Sequence, residues 1–165
     1  MKLIKLVVIS AVILFLLITA LSLLLPSHVR ISRAINIEAR GQVLPYVASL
    51  RQWIKWNTFV QRADSAGTLA KITDTLLVAG DIEIKLVNMK GPAIYTMWKQ
   101  PNGKPSACEF LILPGDNYNV VQWYFDFNLD WYPWQKFQSI VYDKQLGPSM
   151  ELSLEQLKKL VEAQQ

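Results

Sequence analysis

Of the first twenty-five positions, twenty are apolar, and the exceptions are Lys2, Lys5, Ser10, Thr19 and Ser22. No charge occurs from residue 6 to residue 25. At ~1.5 Å per residue that stretch reaches ~30 Å, the thickness of a bilayer core, so it predicts a transmembrane helix over about 6–25. After Pro26 the pattern changes. Over 29–37 the residues Val29, Ile31, Ile35 and Ile37 share one face with Arg33, the period of a strand. Over 41–56 the positions Val43, Leu44, Val47, Leu50, Trp53 and Ile54 fall near helical spacing, with Pro45 tolerated in a first turn. Two short helices are expected there, meeting near Ala48 and Ser49. A polar stretch occupies 61–67. Period-two runs then cover 68–78, 81–90, 93–100, 107–113 and 120–127, and the segments between them are turn chemistry such as Gly91-Pro92, Pro101-Asn102-Gly103 and Pro114-Gly115-Asp116-Asn117. Separators this short make hairpins, hence an antiparallel meander. The last pattern, 134–163, is helical and is expected to break once at Gly147-Pro148.

An α+β domain follows from this order, because one half-polar sheet needs one cover. Its apolar face is expected to carry Ile82, Ile84 and Leu86, then Cys108, Phe110 and Ile112, then Val121, Trp123, Phe125 and Phe127. Asp81, Glu83, Lys85, Gln122, Tyr124 and Asp126 alternate with them on the solvated side. On the last helix, Met150, Leu154, Leu157 and Val161 form the matching stripe.

Composition and charge refine two points. The chain has 165 residues and is 52% hydrophobic, but its positive mean hydropathy of +0.19 comes from the first segment. The division is therefore an anchor over 1–26 and one domain over 27–165. A secretory signal peptide has a shorter apolar core and small residues at its cleavage site; here the run continues through Leu23, Leu24 and Leu25, so it reads as an uncleaved anchor. Lys2 and Lys5 give a short positive tail that favours a cytoplasmic N-terminus and a domain on the exoplasmic side, periplasmic or extracellular. Without those two lysines, 15 basic residues face 13 acidic ones, with no basic stripe of the kind nucleic acid requires.

A family resemblance emerges from these residues. The opening strand leading into helices that end Leu50-Arg51-Gln52-Trp53-Ile54-Lys55-Trp56-Asn57 resembles the start of START-like proteins, the polyketide cyclase (SRPBCC) superfamily. The tail Tyr142-Asp143-Lys144-Gln145-Leu146-Gly147-Pro148, with Glu151 and the run 154–160 after it, is similar to the terminal helix of membrane-anchored bacterial members. The resemblance implies a helix-grip fold, in which a curved antiparallel sheet of six or seven strands wraps the long C-terminal helix, with two short helices after the first strand. It also implies an apolar cavity for a hydrophobic small molecule or lipid. Some anchored relatives carry an effector-binding domain after this one, whereas this chain ends at Gln165.

The cavity so implied would draw on Trp53, Trp56, Ile84, Trp98, Phe110, Trp123, Phe125, Phe137, Met150 and Leu154. All six tryptophans lie in the domain, and Trp131, Tyr132 and Trp134 cluster in the segment joining the last strand to the long helix. Core packing accounts for such aromatics in most small domains; a cavity mouth or a membrane interface, where one end of the ring stays wet, is the functional reading. Catalytic motifs are sparse. The single histidine, His28, follows the anchor, and no nucleophile elbow, phosphate loop or dinucleotide fingerprint occurs. No catalytic, metal or cofactor residue is assigned. Asp126 and Asp130 could be posed as an acid/base pair, but Asp126 sits on a polar face and Asp130 starts a loop. Cys108 reads as a small core residue. Arg33, a cation on an apolar face, must find a partner or contact a polar ligand group, and an ion pair at the sheet edge is the expectation. The function that follows is a membrane-tethered binding domain for a hydrophobic molecule or lipid. The alternatives are a structural or protein-interaction domain and, third, a cyclase-like enzyme.

Overall fold

The computed structural model describes residues 2–38, 43–101 and 103–164, so Gly41 and Gln42 of the first helical pattern and Asn102 of the turn over 101–103 lie outside the described residues. Helix α1 is Lys2–Leu23, and it leads into strand β1, His28–Ile37. Its stretch Leu3–Leu23 is long and apolar enough to cross a membrane, and its large side chains are almost all exposed. Helix α2, Leu44–Ala48, carries Pro45 in its first turn and stops at Ser49, whose backbone is extended; a 3-10 helix, Leu50–Lys55, follows. Because α2 is so short, its last carbonyls have no helical N–H to accept from, and two indoles donate to them. Trp53 Nε1 donates to the Val47 carbonyl at 3.0 Å, and Trp56 Nε1 donates to that of Tyr46 at 3.1 Å.

Helix α3, Thr58–Ser65, occupies most of the stretch that sequence reading left as polar connection. Asn57 nucleates it. Its side-chain oxygen accepts from Phe59 N at 3.0 Å and Val60 N at 3.3 Å, an N-cap that satisfies two otherwise unpaired donors.

Seven strands form one antiparallel sheet in the order β1-β7-β6-β5-β4-β3-β2. After β1 they are β2 Leu69–Ile72, β3 Leu76–Ala79, β4 Ile82–Lys90, β5 Ala93–Lys99, β6 Ser106–Pro114 and β7 Asn119–Asn128. The run expected as one strand over 68–78 is two, because Thr73 turns the chain. Its backbone N–H donates to the Leu76 carbonyl at 2.8 Å and its hydroxyl accepts from Leu76 N at 2.9 Å.

Helix α4, Pro133–Glu162, is continuous. The break expected at Gly147-Pro148 does not occur. Proline in a helix interior removes one hydrogen bond and crowds the preceding turn, but tertiary contacts hold the two halves in line. Arg33 on β1 reaches Asp143 Oδ1 at 2.9 Å on the N-terminal side and Glu151 Oε1 at 2.5 Å on the C-terminal side. This is the ion pair that the apolar face of β1 called for. On the other flank, Thr58 donates to the Ser149 carbonyl at 3.0 Å.

The expected stripe Met150, Leu154, Leu157 and Val161 is buried against the sheet. The core centres on Trp53, Trp56, Phe110 and Trp123, none of which has any solvent exposure. Phe110 stacks on Trp123 across β6 and β7 with ring centroids 4.8 Å apart, and Trp53 meets Phe110 edge-on at 5.4 Å, arrangements that aromatic quadrupoles favour.

Candidate functional site

The core does not extend evenly under the whole sheet. At one end a partly enclosed pocket of about 560 Å³ remains between the strands, α3 and the first half of α4, within the range of small-molecule sites. Its position follows from the antiparallel topology. Ile82 opens β4, Trp98 lies near the end of β5, Ser106 opens β6 and Asn128 closes β7, so all four stand at the same sheet end. His28, which opens β1, pairs with Asn128 there.

Apolar and polar groups both line it. Phe59, Trp98, Phe125, Phe127, Tyr142 and Leu146 supply the apolar wall. These rings form a chain, with Phe59 against Trp98 at 5.7 Å, Trp98 against Phe125 at 5.0 Å, Phe125 on Phe127 at 5.8 Å and Phe127 against Tyr142 at 4.8 Å. Polar lining comes from Gln100, Lys104, Asn128, Asp130, Gln135 and Gln145. Within this group Lys104 Nζ is bonded to Asp130, and the Asp130 amide donates to Gln135 Oε1 at 2.7 Å. The hydrogen bond from Lys104 holds the Asp130 carboxyl below its ordinary range.

Asp126 lies outside this pocket lining, on the opposite strand face. Arg30 grips it through Nε at 2.7 Å and Nη2 at 2.8 Å, His28 stands 3.3 Å away, and the Arg30 bond pulls its carboxyl below the ordinary value. Both carboxylates are thus neutralised by cations, a structural arrangement. Among the described residues no group of three or more His, Cys, Asp or Glu is gathered in a way that could hold a metal ion.

Of the cavity residues expected from sequence, Trp98 and Phe125 line the pocket. Trp53, Trp56, Ile84, Phe110, Trp123, Met150 and Leu154 pack in the core beside it. Phe137 lies on the outer side of α4 and is 40% exposed. Trp131 and Trp134 are also outside, 60% and 62% exposed, with the half-buried Tyr132 between them at ring distances of 4.7 and 4.9 Å. Sequence reading did not single out Phe59, Tyr142 or Leu146 as site residues. A signal for the last two existed: Tyr142 and Leu146 precede Met150 and Leu154 at intervals of four, so the stripe continues unbroken through Gly147-Pro148. For Phe59 the signal was Asn57, a capping residue ahead of two apolar positions.

No family model matches the chain, and no curated protein matches it in sequence. Solved structures do. A START superfamily protein from Mycobacterium smegmatis aligns with 82% of this chain and 99% of its own, at a TM-score of 0.54 and 16% identity. A protein from Thermobifida fusca aligns with 78% of this chain and 90% of its own, at 0.59 and 14%. A protein of unknown function from Staphylococcus aureus aligns with 83% and 95%, at 0.61 and 12%. The chain has the START-like, helix-grip fold. Identities this low carry the likeness no further than the fold.

Proposed function

We propose that the protein is a membrane-tethered binding domain that holds an apolar small molecule or a lipid in the pocket between the sheet end and α4. The observation that carries this reading is the pocket itself, with its aromatic wall of Trp98, Phe125 and Phe127 and a polar group around Lys104, Asp130 and Gln135. An amphipathic ligand fits that division: its apolar part gains from burial at ~25 cal/mol per Å² before the costs of association, and its polar part meets fixed donors and acceptors. The tether is α1, and Lys2 and Lys5 favour a cytoplasmic N-terminus with the domain on the exoplasmic face.

Native mass spectrometry of the full chain in detergent, followed by organic extraction, tests the proposal. The expected result is a copurifying molecule that is lost when Leu146→Trp fills the pocket. An empty wild-type protein that also fails to bind an apolar fluorophore more tightly than Leu146→Trp would overturn it. A second reading, a scaffold for a protein partner, draws on the filled core around Trp53, Trp56, Phe110 and Trp123, none of which has any solvent exposure.

A further inference from the structure

The chain leaves α1 and enters β1 at the same sheet end that holds the pocket. That junction is fixed. Lys136, on the first turn of α4 and 3% exposed, donates to the Leu25 carbonyl at 3.0 Å and to Ser27 Oγ at 2.6 Å. Leu129 N donates to the Ser27 carbonyl at 2.8 Å. The last residues of the apolar segment are therefore bound to the β7–α4 connection, and they do not hang from it on a loose linker.

This connection is also where the domain shows its two most exposed large aromatics, Trp131 at 60% and Trp134 at 62%, and Phe137, 40% exposed, lies one turn along α4. Clustered exposed aromatics of this kind mark an interaction surface. Tryptophan and tyrosine are enriched at membrane interfaces, where the ring body is apolar and the indole N–H or phenol stays wet. The continuity with α1 selects the occupant. A span of 21 residues, about 31 Å at ~1.5 Å per residue, ends two residues before Leu25, which places the headgroup region at the level of this connection.

We infer that the pocket end of the domain rests on the bilayer, with Trp131, Trp134 and Phe137 seated at headgroup level and the pocket opening beside the membrane surface. This rests on the tether proposed above and adds where the tethered domain lies. A ligand then passes between bilayer and pocket without crossing bulk water.

The test uses the full chain carrying Cys108→Ser, with a single environment-sensitive label at Trp134→Cys or, as control, at Met89→Cys. Met89 is 52% exposed and lies near the far end of β4, seven residues and roughly 23 Å from Ile82. Each chain is reconstituted into vesicles of phosphatidylcholine with one quarter phosphatidylglycerol, and flotation after a carbonate wash scores the tether separately. The expected result is flotation of both chains, with the label at 134 quenched several-fold more strongly by headgroup-proximal doxyl lipid than the label at 89. Phe137→Cys repeats the measurement if Trp134→Cys unfolds. Flotation with equal quenching at the two ends overturns the inference and leaves the tether standing; so does a label at 134 shielded from aqueous iodide but untouched by doxyl lipid, which indicates a protein contact. Chains that fail to float overturn the tether and the inference with it.

Discussion

The Arg33 guanidinium occupies the place where a β-carbon on Gly147 would stand, with its Cζ 3.0 Å from that point and Nη2 nearer still. Glycine in a helix interior ordinarily costs ~1 kcal/mol relative to alanine. Here its bare backbone admits the cation that binds Asp143 and Glu151 across the Gly-Pro step. Glycine at 147 therefore gives room to a strand residue, and the helix itself gains nothing from it.

Gly147→Ala should accordingly cost the wild-type domain up to about 1 kcal/mol, because the flexible end of Arg33 must swing away and loosen its two partly exposed ion pairs. In an Arg33→Ala background the same change should be neutral or stabilising by up to ~1 kcal/mol, since only helix propensity then remains. Urea unfolding of the four proteins in a double-mutant cycle reads the coupling directly. Equal effects in the two backgrounds would contradict the steric argument.

A second buried contact joins α3 to α4. Ser153 Oγ accepts from Thr58 N at 3.0 Å, lies 2.8 Å from Thr58 Oγ1 and donates to the Ser149 carbonyl at 2.7 Å. Ser153→Ala leaves the Thr58 amide buried without an acceptor, at a cost of about 1–3 kcal/mol. Hydrogen exchange at Thr58 should accelerate together with the loss in unfolding free energy.

Cys108 is buried, its Sγ accepts from Trp123 Nε1 at 2.9 Å, and burial pushes its thiol up to about 12. The reactive species is the thiolate. The native protein should resist a thiol reagent at neutral pH and react only as it unfolds. Rapid native modification would show that β6 opens locally.

The Asp126 carboxyl is held below its ordinary value, chiefly by the hydrogen bond from Arg30. A depressed folded-state value means that this stabilisation is complete above about pH 4, where the unfolded carboxyl is already ionised. It is lost as pH falls through the lower folded value. With Asp126 mostly shielded and Arg30 half exposed, its size is on the order of 1 kcal/mol. Asp126→Asn should lower Tm at pH 7 and flatten the acid-side slope of Tm. An unchanged slope between pH 4 and pH 2 would remove Arg30–Asp126 as its source.

The phases of the strands were legible because period-two patterning is a property of neighbouring residues. Ile84, between Glu83 and Lys85, and Trp123, between Gln122 and Tyr124, do face inward. The Met150-to-Val161 stripe was legible for the same reason at helical period. The errors came where local chemistry was read without its distant partner. Gly147-Pro148 looked like a break because nothing nearby announces Arg33, and Thr73 divided a run whose hydrophobic alternation alone looked continuous.

The sequence by itself determined the apolar N-terminal segment, the inward faces, the antiparallel run from β4 to β7 with a helix after it, and the need of Arg33 for a partner. Each is set by spacing or by the cost of burying a charge. Tertiary structure alone decided which aromatics fill the core and which border the pocket. Phe110 and Phe125 have the same chemistry and the same inward phase, yet one is packed among Trp53, Trp56 and Trp123 while the other lines open space. A cavity is the volume that several elements fail to fill together, and it depends on how sheet, α3 and α4 meet. No single segment carries that information.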